Sequence, residues 1–325
     1  MQSYLECRNI KSSYPTFRLD MSFSVEKGEL LCVIGPSGSG KSTILSLIAG
    51  IRAPESGSII LNGRDITDLE IRKRRIGMVF QDFSLFPSMN VAKNIQYGMK
   101  AISAQEKEEE TARLLELAGL SGYGNRQVHE LSGGEAQRVA LVRAIAAKPD
   151  VLLLDEPLSA LDAPLRKHLR TVIRQIQKTT GITMIYVTHD REEAFAIADR
   201  VMVMRRGNVE ALGTAEEIYR NPSSLFVANF TGDGSAVPES LLTGKESDTI
   251  LYFRPEDVLM DRSRFPQDAL VIPGAKVTGC EFTGSFYIAK LSYGDCAITA
   301  YSERKPEAGT IDIAVPRDRI IKLKG

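Results

Sequence analysis

The segment that most constrains the chain is Leu30-Leu-Cys-Val-Ile34 followed by Gly35-Pro-Ser-Gly-Ser-Gly-Lys-Ser-Thr43 and then Ile44-Leu-Ser-Leu-Ile48. An apolar run of that length predicts a buried strand, and the apolar spacing after Thr43 predicts a helix. Between them stands the complete pattern GxxxxGK[ST]. Its glycines let successive backbone N–H groups turn inward, and the helix that follows adds partial positive charge at its start. A loop of this kind holds a triphosphate, so Gly35, Pro36, Ser37, Gly38, Ser39, Gly40, Lys41, Ser42 and Thr43 are candidate nucleotide-binding residues. Lys41 is expected to reach the β and γ phosphates, and the Ser42 hydroxyl is expected to ligate Mg²⁺.

Around this segment, strand-sized apolar runs alternate with helical patterns up to about residue 235, which predicts an α/β domain with a largely parallel sheet. Residues 87–146 read as a helical insert, with amphipathic stretches at 106–118 and 135–147. From 236 to 325 the pattern changes to short alternating runs and turns. Ala275-Lys-Val-Thr, Phe286-Tyr-Ile-Ala-Lys-Leu and Ala297-Ile-Thr-Ala read as strands of a small all-β domain. Thr231-Gly-Asp-Gly-Ser-Ala-Val-Pro238 reads as the linker.

Composition removes several alternatives. Among 325 residues, 41 Lys and Arg balance 41 Asp and Glu, which gives no support to nucleic-acid binding. No run approaches the roughly 18 apolar residues of a membrane span. The start, Met1-Gln-Ser-Tyr-Leu-Glu6, has no signal-peptide pattern. Cys7, Cys32, Cys280 and Cys296 are scattered, as expected of free thiols in a reducing cytosol.

Two further strand ends carry chemistry. Val151-Leu-Leu-Leu-Asp155-Glu156 is an apolar run closing on two acids. Asp155 is expected to hold the hydration shell of Mg²⁺. Glu156, one residue further out, is placed to accept a proton from an attacking water, or either acid caps the next element. Tyr186-Val-Thr-His189-Asp190 ends another run. A histidine at the carboxyl end of a parallel strand faces the ligand side, where its imidazole can donate to the γ-phosphate. His129 and His168 lack such a setting. Asp162, ahead of Ala163-Pro164, reads equally as an N-cap and as a functional acid.

Leu131-Ser-Gly-Gly-Glu135-Ala-Gln-Arg138 lies between these motifs and resembles the signature of the ABC (ATP-binding cassette) ATPases. Ser132 and Glu135 also form a capping-box pattern, and a helix start is an anion site. The resemblance covers the first domain. It implies a mixed-sheet ATPase core with a helical subdomain, ATP and Mg²⁺ as ligands, and a Q-loop at Gln81 that serves both catalysis and the metal. It further implies a D-loop at Ser159-Ala-Leu-Asp162 and a switch histidine at His189. It implies that Ser132, Gly133, Gly134 and Glu135 face a nucleotide held by a second subunit. The family more often carries Gln at the position of Glu135. Tyr14 matches the aromatic that stacks on adenine, with a core tyrosine as the alternative. Phe83, Leu85, Phe86 and Met89 match the groove that receives a permease helix, with core packing as the alternative.

Phe253-Arg-Pro-Glu-Asp257 resembles the TOBE domains, small OB-like β domains that follow the ATPase in many importers. The resemblance therefore implies an import ATPase, dimeric and peripheral on the cytoplasmic face of the membrane. Its implied partners are a second ATPase chain, permease subunits and, indirectly, a solute-binding protein, with no nucleic acid. Ferric iron is among the candidate solutes. The rival class is a non-transport ABC ATPase of the repair or translation type, against which stand the single cassette and the lack of a long coiled-coil insert.

Overall fold

The computed structural model describes residues 3–14, 17–159 and 161–324; Ala160 of the D-loop segment above lies outside the described residues. The chain separates into two compact units, residues 1–215 and 216–325.

In the first unit, β1 (Leu5–Ser13), β2 (Arg18–Val25), β4 (Ser56–Leu61) and β5 (Arg64–Asp65) form an antiparallel sheet in the order β2-β1-β4-β5. A second, six-stranded sheet is built from β3 (Leu30–Ile34), β6 (Ile76–Val79), β7 (Val151–Asp155), β8 (Thr183–Val187), β9 (Arg200–Arg205) and β10 (Asn208–Gly213). Its order is β10-β9-β3-β8-β7-β6, parallel except for β10, so the sheet is mixed. Strands β3 and β8 are buried along their whole length and β7 up to its final aspartate, as continuous Val, Ile and Leu runs require when both faces are covered.

Helix α1 (Lys41–Ala49) turns Ile44, Leu45, Leu47 and Ile48 into the core between the two sheets, beside Leu5, Leu19, Val33, Leu153 and Met202. Each such side chain stabilises the fold by about 1.5–3 kcal/mol relative to exposure. Between β6 and β7 come α2 (Val91–Gln96), α3 (Ala104–Leu117) and α4 (Gly133–Ala146), the helices of the predicted insert. Helix α5 (Ala163–Thr180) follows β7, and α6 (Arg191–Ile197) follows β8.

Register makes the site. Val33 pairs with Val187, and Val187 with Asp155, so the carboxyl ends of β3, β7 and β8 finish level. The loop after β3, the acids at the end of β7 and the histidine after β8 therefore emerge at one end of the sheet. This is where parallel α/β sheets place ligands.

The second unit holds two antiparallel sheets. In one, β11 (Ser235–Pro238), β12 (Thr249–Phe253) and β17 (Ile321–Lys324) are ordered β11-β12-β17. In the other, β13 (Leu270–Phe282), β14 (Tyr287–Tyr293), β15 (Cys296–Ser302) and β16 (Gly309–Val315) are ordered β15-β14-β13-β16. They share a core that includes Val237, Phe253, Ile272, Leu291, Ile298 and Ile313. Short helices accompany them: α7 (Ala215–Arg220), α8 (Leu225–Thr231) and α9 (Glu239–Thr243). The predicted linker thus carries the end of α8 and all of β11, which pairs with β12. Arg254, 2% exposed, ties α7 and α8 to the second unit through the carbonyls of Tyr219, Ala228 and Asp233.

Candidate active site at the ends of three parallel strands

The loop 35–40 is shaped by close approach. A Cβ on Gly35 would stand 2.3 Å from the Met204 carbonyl oxygen and 2.8 Å from Ser39 Oγ. Ser39 is 3% exposed, and its hydroxyl has no hydrogen-bond partner among the described residues. Pro36, Ser37 and Gly38 are exposed. Helix α1 starts after Gly40 with no side-chain cap, so the N–H groups of its first turn are left to a ligand.

Lys41 lies beneath this loop. Its ammonium donates to Gly35 O at 2.9 Å and to Pro36 O at 3.0 Å. Burial lowers its pKa from the ordinary lysine value, against the opposing pull of Glu156 and Asp155. The Ser42 hydroxyl donates to Asp155 Oδ1 at 3.0 Å, across 113 residues of sequence, while Thr43 is half-buried in the same turn. Burial raises the pKa of Asp155, and neighbouring Glu156 adds to the rise. A carboxylate and a hydroxyl held together, with charge that the site does not fully neutralise, form a hard oxygen donor pair. That pair suits a Mg²⁺ ion which keeps several of its waters.

Glu156 adopts φ +45°, a left-handed conformation uncommon for a residue with a side chain. Its N–H donates to Val187 O at 3.0 Å, and its carbonyl accepts from the Ser159 hydroxyl at 2.9 Å. The bend carries the carboxylate towards β8, where Oε2 lies 3.4 Å from His189 Nδ1. Both side chains reach solvent, at 27% and 56% exposure, so both are open to a reacting group. Gln81 is exposed and lines the same shallow opening as Asp155, Phe80, Asp82 and Ser84.

Asp162 caps α5, accepting from Leu165 N at 2.9 Å, with Pro164 in the first turn. Ser132 caps α4 in a reciprocal box with Glu135. The two helix starts are pressed together, since a Cβ on Gly134 would meet Leu165 Cδ2 at 2.9 Å. Glu135 also accepts from the Tyr123 hydroxyl at 2.7 Å, and this bond, with the Ser132 N–H, holds its pKa down at about 2. Its carboxylate is thus committed within its own chain. Among the described residues, no hydrogen bond or ion pair joins 132–135 to the loop 35–43.

Tyr14 stacks on Phe17, ring centres 4.9 Å apart and 16° from parallel, with the Arg52 guanidinium 5.5 Å from the Tyr14 ring. Phe17 in turn comes within 3.1 Å of where a Gly40 Cβ would lie. This aromatic beside the loop is not signalled by any spacing. Nor is Arg143, on α4, which donates to Ser84 O at 2.7 Å and Phe83 O at 3.0 Å and so holds the loop after Gln81. Phe86 packs on Tyr97 at 4.5 Å, and Asn94 binds both its N–H and its carbonyl, so this ring belongs to the insert's packing. His129 and His168 are exposed and away from the strand ends.

The chain is similar in sequence and fold to known proteins. The family described as ABC transporter matches residues 19–159. The Fe(3+) ions import ATP-binding protein FbpC of Photorhabdus laumondii is 44% identical over 246 residues, 74% of this chain and 70% of that protein. The sulfate/thiosulfate import ATP-binding protein CysA of Bacillus cereus is 39% identical over 312 residues, 88% of this chain and 87% of that protein. Among solved structures, the dimeric ATP-binding cassette MJ0796 in a post-hydrolysis state, bound to ADP and Pi, aligns with a TM-score of 0.56. It is 28% identical and covers 65% of this chain and 98% of its own.

Proposed function

The chain belongs to the ABC transporter ATP-binding proteins, and on that premise we propose that it is the ATPase subunit of an import complex, hydrolysing ATP at a seam between two cassettes. The observation that carries this reading is the convergence of Lys41, Ser42–Asp155 and Glu156–His189 at the ends of three adjacent parallel strands. Each pair joins residues far apart in sequence whose chemistry fits one reaction.

The backbone of 35–43 and Lys41 bind the triphosphate. Ser42 and Asp155, with Gln81 from the neighbouring loop, would hold Mg²⁺, which neutralises charge on the phosphate oxygens. Glu156 accepts a proton as a water oxygen bonds to the γ-phosphorus and the bond to the β-phosphate oxygen breaks. His189 donates a hydrogen bond to the γ-phosphate and orients Glu156. Tyr14 and Phe17 form an aromatic platform for adenine, where stacking on a base is typically worth about 1–3 kcal/mol. Ser132, Gly133 and Gly134 supply the N-terminus of α4 to the γ-phosphate of a second chain, with Asp162 beside them at the same seam. Glu135 serves that seam by fixing the helix start.

ATP thus favours a closed pair and hydrolysis releases it, which is how a chain without a membrane-spanning helix among its described residues can drive a permease. We assign the half-buried Leu85 and its apolar neighbours Phe83 and Met89 to permease docking, which places the chain on the cytoplasmic face of the membrane. The second unit takes the place of a TOBE domain. The relatives' names divide between ferric iron and sulfate or thiosulfate, and import of an inorganic solute is the class both share.

The test is steady-state hydrolysis of MgATP by the purified full chain. Wild type turns ATP over and Lys41→Ala does not bind it. Turnover that survives in Lys41→Ala would overturn the assignment.

A further inference from the structure

Resting on that reading of the site, we infer that Glu193 is a positioning residue for hydrolysis: through the Thr188 hydroxyl it sets the turn that presents His189 to Glu156.

Glu193 is 4% exposed, on α6 one turn beyond His189, and no motif that defines the site includes it. Both its carboxylate oxygens are used. Oε1 accepts from the Tyr186 hydroxyl, and Oε2 accepts from the Thr188 hydroxyl at 2.7 Å. Thr188 Oγ1 in turn accepts from Asp190 N–H at 3.0 Å. A hydroxyl has one hydrogen. By taking that hydrogen, Glu193 turns a lone pair of Oγ1 towards the Asp190 amide. The residues on either side of His189 are thereby joined through one buried oxygen.

Residue 193 closes the turn a second time, because its N–H donates to Asp190 Oδ1 at 3.1 Å. The remaining ties are to the frame: Thr188 N–H to Val33 O of β3 at 3.2 Å, and Arg166 of α5 to Asp190 Oδ2 at 3.6 Å. Among the described residues, the side chain placed against the His189 imidazole is Glu156, at 3.4 Å. The imidazole is exposed, so its aim towards Glu156 depends on the backbone that carries it, and Glu193 holds that backbone from within. A burial this complete is costly for a carboxylate that merely fills space, while two accepted hydrogen bonds and a held turn offset that cost.

The experiment measures kcat and KM for MgATP on the full-length chain. Thr188→Val keeps the shape and removes only the bridging oxygen. Both it and Glu193→Ala should lower kcat about 10- to 100-fold with KM changed less than about 2-fold, since misplacement harms the chemical step and not nucleotide binding. Glu193→Gln should retain most of kcat, because the amide can bond both hydroxyls. In a His189→Ala background, Glu193→Ala should cost no further turnover. A folded Thr188→Val chain with wild-type kcat, or losses that multiply in the His189→Ala background, would overturn the inference. If Glu193→Ala fails to fold, Thr188→Val and Glu193→Gln decide alone. Glu156→Gln run alongside separates the two readings: if it stays active, the assignment of the site itself fails, whereas an inactive Glu156→Gln with a fully active Thr188→Val sinks only the role of Glu193.

Discussion

Glu156 Oε2 and His189 Nδ1 lie 3.4 Å apart, joined across two parallel strands by a left-handed bend at Glu156 that few side-chain-bearing residues adopt. The bend directs the carboxylate out of the core and towards water. On this geometry, Glu156→Gln keeps the shape and the nucleotide but loses the proton acceptor. Turnover should fall about 10²- to 10⁴-fold. Single-turnover hydrolysis together with an ATP-binding titration checks this, and the titration should be unchanged.

Glu135 gives a pH-dependent expectation. Its folded-state pKa of about 2, against an ordinary 4.5, reflects first the Tyr123 hydroxyl and then the Ser132 N–H. A depressed carboxyl contributes stability that is fully present above the unfolded value. That contribution is lost as pH falls from 4.5 towards about 2. Glu135→Gln can still complete the capping box but does not titrate. The melting temperature of wild type should therefore exceed that of Glu135→Gln at about pH 7, with the gap closing as the solution is acidified to about pH 3.

Gly35 and Gly38 should respond differently to alanine. At Gly35 the new methyl meets the Met204 carbonyl at 2.3 Å, a backbone atom that cannot swing away. Overpacking of this kind costs about 1–3 kcal/mol or more and should abolish ATP binding with it. At Gly38 the methyl meets nothing within 4 Å among the described residues, and the left-handed φ of +76° opposes it. That strain is about 1–2 kcal/mol. Thermal melting and nucleotide titration of the two variants should rank Gly35→Ala as the more damaging in both.

Leu85 stands half-buried in the loop that Arg143 holds by the Ser84 and Phe83 carbonyls. Leu85→Asp should leave ATP binding intact in the isolated chain and abolish solute uptake by the assembled transporter. Uptake in cells, measured beside nucleotide binding by the purified variant, checks this. Normal uptake would remove the loop as a docking surface.

Much of this site was legible before any fold was known, because its core residues sit at strand ends whose apolar runs are unmistakable. Gly35, Asp155 and His189 each follow four or more buried residues in a row, Glu156 stands next to Asp155, and parallel pairing brings the strand ends level. Residues that act by reaching across the structure left no such trace. Arg143 holds carbonyls 59 and 60 residues earlier in the chain, and Phe17 matters for the side of Gly40 it covers. Arg254 was visible as part of an Arg-Pro-Glu segment. Its role as a buried guanidinium gathering carbonyls from two helices is a matter of tertiary contact. The domain division shows the same limit, since Gly232 and Gly234 look like linker residues while the chain around them is tied into the second unit.

If, as we propose, one chain holds half of each catalytic pocket, Ser132 serves the phosphate bound over Lys41 of its partner. The most direct measurement is the solution mass of the Glu156→Gln chain, by sedimentation or light scattering, with and without ATP. A 35.8 kDa monomer should become a dimer when ATP is added and should stay monomeric when Ser132 is replaced by Arg. A chain saturated with ATP that stays monomeric at every concentration, alone and beside its permease, would contradict it.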